Sequence, residues 1–168
     1  MGLFPADIER QAAAIVTAYR ERGWMIATAE SCTGGLIAGS LTEIAGSSAV
    51  VDRGFVTYTN QAKMDLIGVS AATLEAFGAV SKETALQMAQ GALMRSDAEV
   101  AVAVTGIAGP GGGTKKKPVG LVHLALKSRT GIIDHREMGY GDIGRDQVRL
   151  ATVRTALEML AAAVQAPA

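Results

Sequence analysis

Cysteine, aromatic residues and net charge are all scarce in this sequence, and each scarcity excludes something. Cys32 is the one cysteine in 168 residues, so no intrachain disulfide framework is available and a reducing compartment suits the chain. Sixteen basic residues balance sixteen acidic ones. That balance argues against a nucleic-acid binder, whose surface is strongly basic, and against a disordered polyelectrolyte. No apolar run nears the ~20 residues that cross a bilayer, so no membrane partner is expected. The opening Met-Gly-Leu-Phe-Pro-Ala-Asp has neither the basic nor the apolar region of a signal peptide. Asp7 and Ile8 follow where a myristoylation signal would want a hydroxyl. A cytoplasmic location is expected. With no cysteine pair, no closely spaced histidines and no His-Glu motif, neither a metal nor another cofactor is expected.

What is present is aliphatic and glycine-rich. Hydrophobic residues make up 49% of the chain and aromatics only 4%. Glycine is 20 of 168, about 12% against a usual ~7%. The length fits one domain spanning residues 1–168. Helical spacing of Ile8, Ala12, Ile15, Val16 and Tyr19 predicts a helix over 7–19. A strand is expected over 24–29, a helix over 33–44 with Gly46 as its stop, and a strand over 50–58. Asn60, Ser70 and Ser81 are candidate caps of three further helices, the first two ending at Gly68 and Gly78. The uncharged run to Val104 reads as a strand over 98–104 buried on both faces. Strands over 119–126 and 132–138 are joined by a link short enough for an antiparallel hairpin. A helix over 145–164 closes the chain. The pattern predicts a single three-layer α/β/α domain with a mixed sheet. Extra apolar residues on the last helix, Val148, Ala151 and Met159 among them, suit either self-association or burial within the chain.

Three segments could carry chemistry. Thr28-Ala29-Glu30-Ser31-Cys32-Thr33-Gly34-Gly35 lies where a strand gives way to a helix. A hydroxyl there could attack a carbonyl while N–H groups of Thr33, Gly34 or Gly35 stabilise the oxyanion. An N-cap with glycines that pack a helix on a strand would explain the same residues. A cysteine or serine nucleophile usually wants a histidine. His123 and His135 both fall inside strand patterns, which leaves a serine–lysine scheme. Tyr58-Thr59-Asn60-Gln61-Ala62-Lys63 puts a lysine in the first turn of a helix, where in a partly closed site its charged form is disfavoured and its pKa falls toward that of a base. A surface lysine and a strand-end tyrosine would look the same. The run from Thr105 and Gly106 through Gly111 to Lys117 follows the buried strand, where open α/β sheets bind ligands. Its N–H groups suit a phosphate or carboxylate, and a flexible connection suits it equally. It contains no Walker A motif. Gly139-Tyr140-Gly141-Asp142-Ile143-Gly144 mimics a dinucleotide fingerprint but lacks the strand that must follow. Arg145 and Arg149, one helical turn apart, could clamp a phosphate or pair with Asp142, Asp146 or Glu158.

Together with Ala45-Gly46-Ser47-Ser48 and Gly78-Ala79-Val80-Ser81, these three segments resemble the CinA C-terminal domain family. The resemblance runs from about residue 27 through the last helix. It implies a compact α/β/α domain and nicotinamide-nucleotide amidase activity, with a small-molecule nucleotide as partner. It puts the family's nucleophile on Ser31, its lysine on Lys63 and its assisting tyrosine on Tyr58. Asn60, Thr105, Gly106, Gly111, Arg145 and Arg149 join Thr33, Gly34 and Gly35 as candidate substrate contacts. Larger members carry a further N-terminal domain resembling molybdopterin-binding proteins, so this chain is expected to be the stand-alone form. The stretch from Gly141 to Arg145 is longer than the Gly-Asp-Arg run that the family leads one to expect.

Overall fold

A computed structural model describes residues 2–167. Helix α1 (Ala6–Arg22) turns Ile8, Ala12, Ile15, Val16 and Tyr19 inward and stops at Gly23, whose φ of 70° only glycine adopts easily. Strand β1 (Ile26–Glu30) follows, then α2 (Leu36–Thr42) and a short turn of 3₁₀ helix. Next come β2 (Val51–Val56), α3 (Asn60–Ile67), α4 (Ala71–Phe77), α5 (Lys82–Met94) and β3 (Val100–Gly106). The chain closes with β4 (Leu121–Ser128), β5 (Ile133–Gly139) and α6 (Arg145–Gln165).

The five strands form one sheet in the order β2-β1-β3-β4-β5. The first three are mutually parallel, and β4 and β5 add antiparallel at one side. The mixed sheet and its helical layers agree with the expectation from sequence. Strand β3 is covered on both faces because its period-two alternation serves two cores. Val100, Val102 and Val104 face α1, α2 and α6, while Ala101 and Ala103 face α5. The alanine face lets α5 approach closely through Ala85, Ala89 and Ala92. Gly91 of α5 lies so near α3 that a Cβ there would meet the Ile67 carbonyl oxygen at 1.8 Å.

One expectation is corrected. The second helix begins at Leu36, not at residue 33, because Gly34 (φ 58°) and Gly35 (φ 105°) take the left-handed conformation that no helix continues through. Of the extra apolar residues of α6, Val148 and Met159 are buried in the main core, as the second of the two alternatives has it, while Ala151 is only part-buried. No helix among the described residues is long and apolar enough to cross a membrane.

Parallel strands place their C-terminal ends on one edge of a sheet. Here the turn after β1, the turn after β2 and the glycine-rich loop after β3 converge there, as ligand sites do in open α/β sheets.

Candidate active site

Two backbone hydrogen bonds pin the end of β1 between its neighbours. The Ser31 N–H donates to the Val104 carbonyl at 3.1 Å, and the Thr57 N–H donates to the Glu30 carbonyl at 2.8 Å. Ser31 therefore leaves the sheet between β2 and β3. On the β2 side the chain turns at once into α3. Its cap is Thr59, whose hydroxyl accepts the Ala62 N–H at 3.0 Å. Asn60, expected to be the cap, is the first helical residue and stays outside the cavity.

Lys63 turns back under that cap and is only 1% exposed. Its Nζ lies 3.0 Å from Ser31 Oγ, 2.9 Å from the Thr57 carbonyl and 3.3 Å from the Tyr58 carbonyl. It enters no salt bridge among the described residues. Burial pushes its pKa down from 10.5 to about 8. Desolvation, as expected of a partly closed site, is thus the main cause. The three contacts satisfy both protonation states. An ammonium donates to all three oxygens. A neutral amine donates to the two carbonyls and offers its lone pair to the Ser31 hydroxyl. The pocket is therefore built to let the amine lose a proton without orphaning a partner.

Residues 31–35 form a turn held from two sides. Beneath it sits Glu30, a carboxylate only 1% exposed at the end of an otherwise uncharged strand. Its oxygens accept from Thr33 Oγ1 (2.6 Å), Thr28 Oγ1 (3.2 Å) and the Ile37 and Ala38 N–H groups (2.8 and 3.0 Å). Four donors replace the water the charge has lost, and two of them are open N–H groups at the start of α2. Above the turn, Arg149 of α6 donates from Nε to the Cys32 carbonyl at 3.1 Å and from Nη2 to the Thr33 carbonyl at 3.3 Å. The Gly34 N–H returns to the Ser31 carbonyl at 3.0 Å. No protein partner takes the N–H of Cys32 or of Thr33 among the described residues.

A cavity of about 280 Å³ opens over this pair. Ser31, Cys32, Lys63 and Tyr58 line one side, Thr105, Gly106, Ile107 and Ala108 the floor, and Ala79 and Val80 the far wall. Thr105 donates its hydroxyl to the Ala79 carbonyl at 2.8 Å, tying floor to wall. Gly111 and Gly112 sit at the mouth, shared with an adjoining open cleft of about 690 Å³. Arg145 spans the mouth, donating to the Gly109 carbonyl and to the Tyr58 hydroxyl, each at 2.8 Å.

Of the residues singled out from the sequence, Ser31, Lys63, Tyr58, Thr105, Gly106, Gly111 and Arg145 are brought together around this cavity. Thr33, Gly34, Gly35, Asn60 and Arg149 do not line it. The Thr33 side chain is turned down onto Glu30, and the guanidinium of Arg149 is occupied by carbonyls. The Tyr58 phenol, 56% exposed, points to Arg145. It is the Tyr58 backbone carbonyl that meets Ser31 Oγ, at 3.4 Å.

Cys32 and the histidines stand aside from the serine–lysine pair. Burial lifts the Cys32 thiol from 9.0 to about 11. The thiolate fraction at pH 8 is therefore cut about a hundredfold, and native Cys32 should react with iodoacetamide about a hundredfold more slowly than in urea. Mass spectrometry of quenched aliquots checks this. Equal rates in the two conditions would contradict it. His123 and His135 face each other across β4 and β5 with ring nitrogens 3.0 Å apart, outside the cavity.

A buried lysine against a serine, at the C-terminal ends of the parallel strands of a helix-covered mixed sheet, defines an α/β protein with a serine–lysine site. The model of the CinA C-terminal domain matches residues 8–164. The chain belongs to that family. It is 51% identical over 137 residues to the nicotinamide-nucleotide amidohydrolase PncC of Enterobacter agglomerans, covering 81% of this chain and 82% of that protein. It is 47% identical over 147 residues to a putative competence-damage inducible protein of Caldicellulosiruptor saccharolyticus, covering 87% of this chain but 35% of that longer protein. Among solved structures, the competence/damage inducible protein CihA from Agrobacterium tumefaciens is 70% identical with a TM-score of 0.97, over 98% of this chain and 100% of that one. The competence damage-inducible protein A from Klebsiella pneumoniae is 36% identical with a TM-score of 0.88, over 92% and 95%.

Proposed function

We propose that this chain is a cytoplasmic nicotinamide-nucleotide amidase. It hydrolyses nicotinamide mononucleotide to nicotinate mononucleotide and ammonia, with Ser31 as nucleophile and Lys63 as its base. The observation that carries the reading is the 3.0 Å contact between Ser31 Oγ and a buried lysine that has no carboxylate partner among the described residues. The name borne by the Enterobacter agglomerans relative supports the substrate.

The chemistry follows from the pair. Neutral Lys63 takes the Ser31 proton as Oγ bonds to the carboxamide carbon. The oxyanion forms beside the N–H of Cys32, which lines the cavity, and that of the adjoining Thr33, neither of which has a protein partner among the described residues. Lys63 then gives its proton to the departing nitrogen, ammonia leaves, and an ester remains on Ser31. Water adds to that ester with Lys63 accepting its proton, the bond from the acyl carbon to Oγ breaks as Lys63 returns that proton to Ser31, and the freed acid departs. The apolar wall of Ala79, Val80, Ile107 and Ala108 suits a flat pyridine ring. The phosphate lies toward Arg145 and the N–H groups of Gly111 and Gly112 at the mouth. No step calls on a cofactor.

Ammonia release tests the reading on a panel of nicotinamide mononucleotide, nicotinamide riboside, nicotinamide and simple aliphatic amides. The mononucleotide should be preferred over the phosphate-free compounds by at least about a hundredfold in kcat/KM, the scale of one lost charge-assisted contact. Faster turnover of another amide would reassign the substrate, and no turnover of any would overturn the reading.

A further inference from the structure

Arg149 touches neither the cavity nor Ser31, yet its guanidinium grips the turn that carries the nucleophile. In a trans peptide the N–H and C=O groups point in opposite directions, so holding one fixes the other. Three consecutive peptides of the turn are held this way. Arg149 Nε holds the Cys32 carbonyl, which sets the direction of the Thr33 N–H. Arg149 Nη2 holds the Thr33 carbonyl, which sets the Gly34 N–H. That N–H in turn holds the Ser31 carbonyl, which sets the Cys32 N–H. The N–H groups of Cys32 and Thr33, neither of which has a protein partner among the described residues, are thus both oriented, directly or through one peptide, by a single side chain. Gly34 carries the turn through a φ of 58°, a backbone that favours glycine. Glu30 anchors the same turn from the opposite side, through the Thr33 hydroxyl and the first N–H groups of α2.

We infer that Arg149 is a positioning residue that aims the N–H groups of Cys32 and Thr33 at the oxyanion, with Glu30 as its counter-anchor. The inference rests on the amidase reading above, and it corrects the role of phosphate clamp that the spacing of Arg145 and Arg149 suggests. A positioning residue and a phosphate ligand differ in what their loss does. Misaimed donors weaken only the transition state, whereas a lost phosphate contact weakens the bound substrate as well.

The test is steady-state kinetics of Arg149→Gln with nicotinamide mononucleotide. We expect kcat to fall about 10- to 100-fold, somewhat less than the loss of an oxyanion donor itself, with KM within about twofold of wild type. Arg149→Lys, which keeps the charge and can reach one carbonyl, should recover part of kcat. It carries the same kcat-against-KM comparison if the glutamine variant does not fold. The pH at which kcat/KM half-rises should not move in either variant, because Lys63 is untouched. A rise in KM with kcat unchanged, or wild-type values of both, would overturn the inference while leaving the amidase reading intact. Inactivity of the wild-type protein would instead overturn the reading on which the inference rests.

Discussion

Ser31→Ala should lose ammonia release from nicotinamide mononucleotide by on the order of 10⁴-fold or more, because removing a nucleophile disables every step that depends on it. Folding should be unaffected. Among the described residues the Ser31 side chain enters two hydrogen bonds, the 3.0 Å one with Lys63 and the 3.4 Å one to the Tyr58 carbonyl, and the backbone bond to Val104 does not involve it. The variant should melt within about 2 °C of wild type, in line with a loss of well under 1 kcal/mol. It should still bind the mononucleotide, since the walls and the mouth are intact. Paired measurements of rate, melting and nucleotide binding separate loss of chemistry from loss of the site. Retained turnover in Ser31→Ala would show that water attacks the amide directly.

Lys63→Met combines a large loss of activity with no loss of stability, a combination few buried residues allow. General-base catalysis contributes about 10²–10⁴-fold, so kcat should fall by about 10³. The stability argument runs from the lowered pKa. A lysine that titrates near 8 in the folded chain and at 10.5 when unfolded binds fewer protons in the folded state between those values. Its penalty is absent above about pH 10.5, accrues as pH falls toward 8, and stays at about 3 kcal/mol below that. Methionine removes the penalty but leaves the Thr57 and Tyr58 carbonyls without their donor, at about 1 kcal/mol each. At pH 7 the variant should therefore melt no lower than wild type. Relative to the variant, wild type should gain stability between pH 8 and 10.5, as calorimetry across that range would show. A variant markedly less stable at pH 7 would mean that Lys63 serves the fold rather than the chemistry.

Much of this arrangement could be read from residue types and spacing, and the rest depends on tertiary direction. The strand-to-helix positions of Ser31 and Lys63 follow from hydrophobic period and turn residues. So does the double burial of β3, because a run from Val100 to Val104 with no charge has no face to give to water. The start of α2 was displaced by paired glycines, which read as helix-packing residues until their φ values are known. Thr59 and Asn60 are both good caps, and the approach of α3 to the sheet chose between them. The role of Glu30 is harder to read, because one acid beside a serine looks solvated. Its signal was present nonetheless, as a lone charge at the end of a strand of Ile, Ala and Thr is costly unless several donors surround it. Arg149 is legible as a candidate, but its hold on the turn is not. Its partners are backbone carbonyls, which no side-chain pattern reveals. The same limit applies to Tyr58, where the residue expected to act through its hydroxyl meets Ser31 through its carbonyl.

The central claim is that a neutral amine turns Ser31 into the attacking group. The dependence of kcat/KM on pH for wild-type protein and nicotinamide mononucleotide addresses it most directly, since that ratio titrates groups of the free enzyme. The expected curve climbs tenfold per pH unit below the Lys63 midpoint near 8 and levels off above it. A rate that is flat from pH 6 to pH 9, or one that falls through that interval, would contradict it.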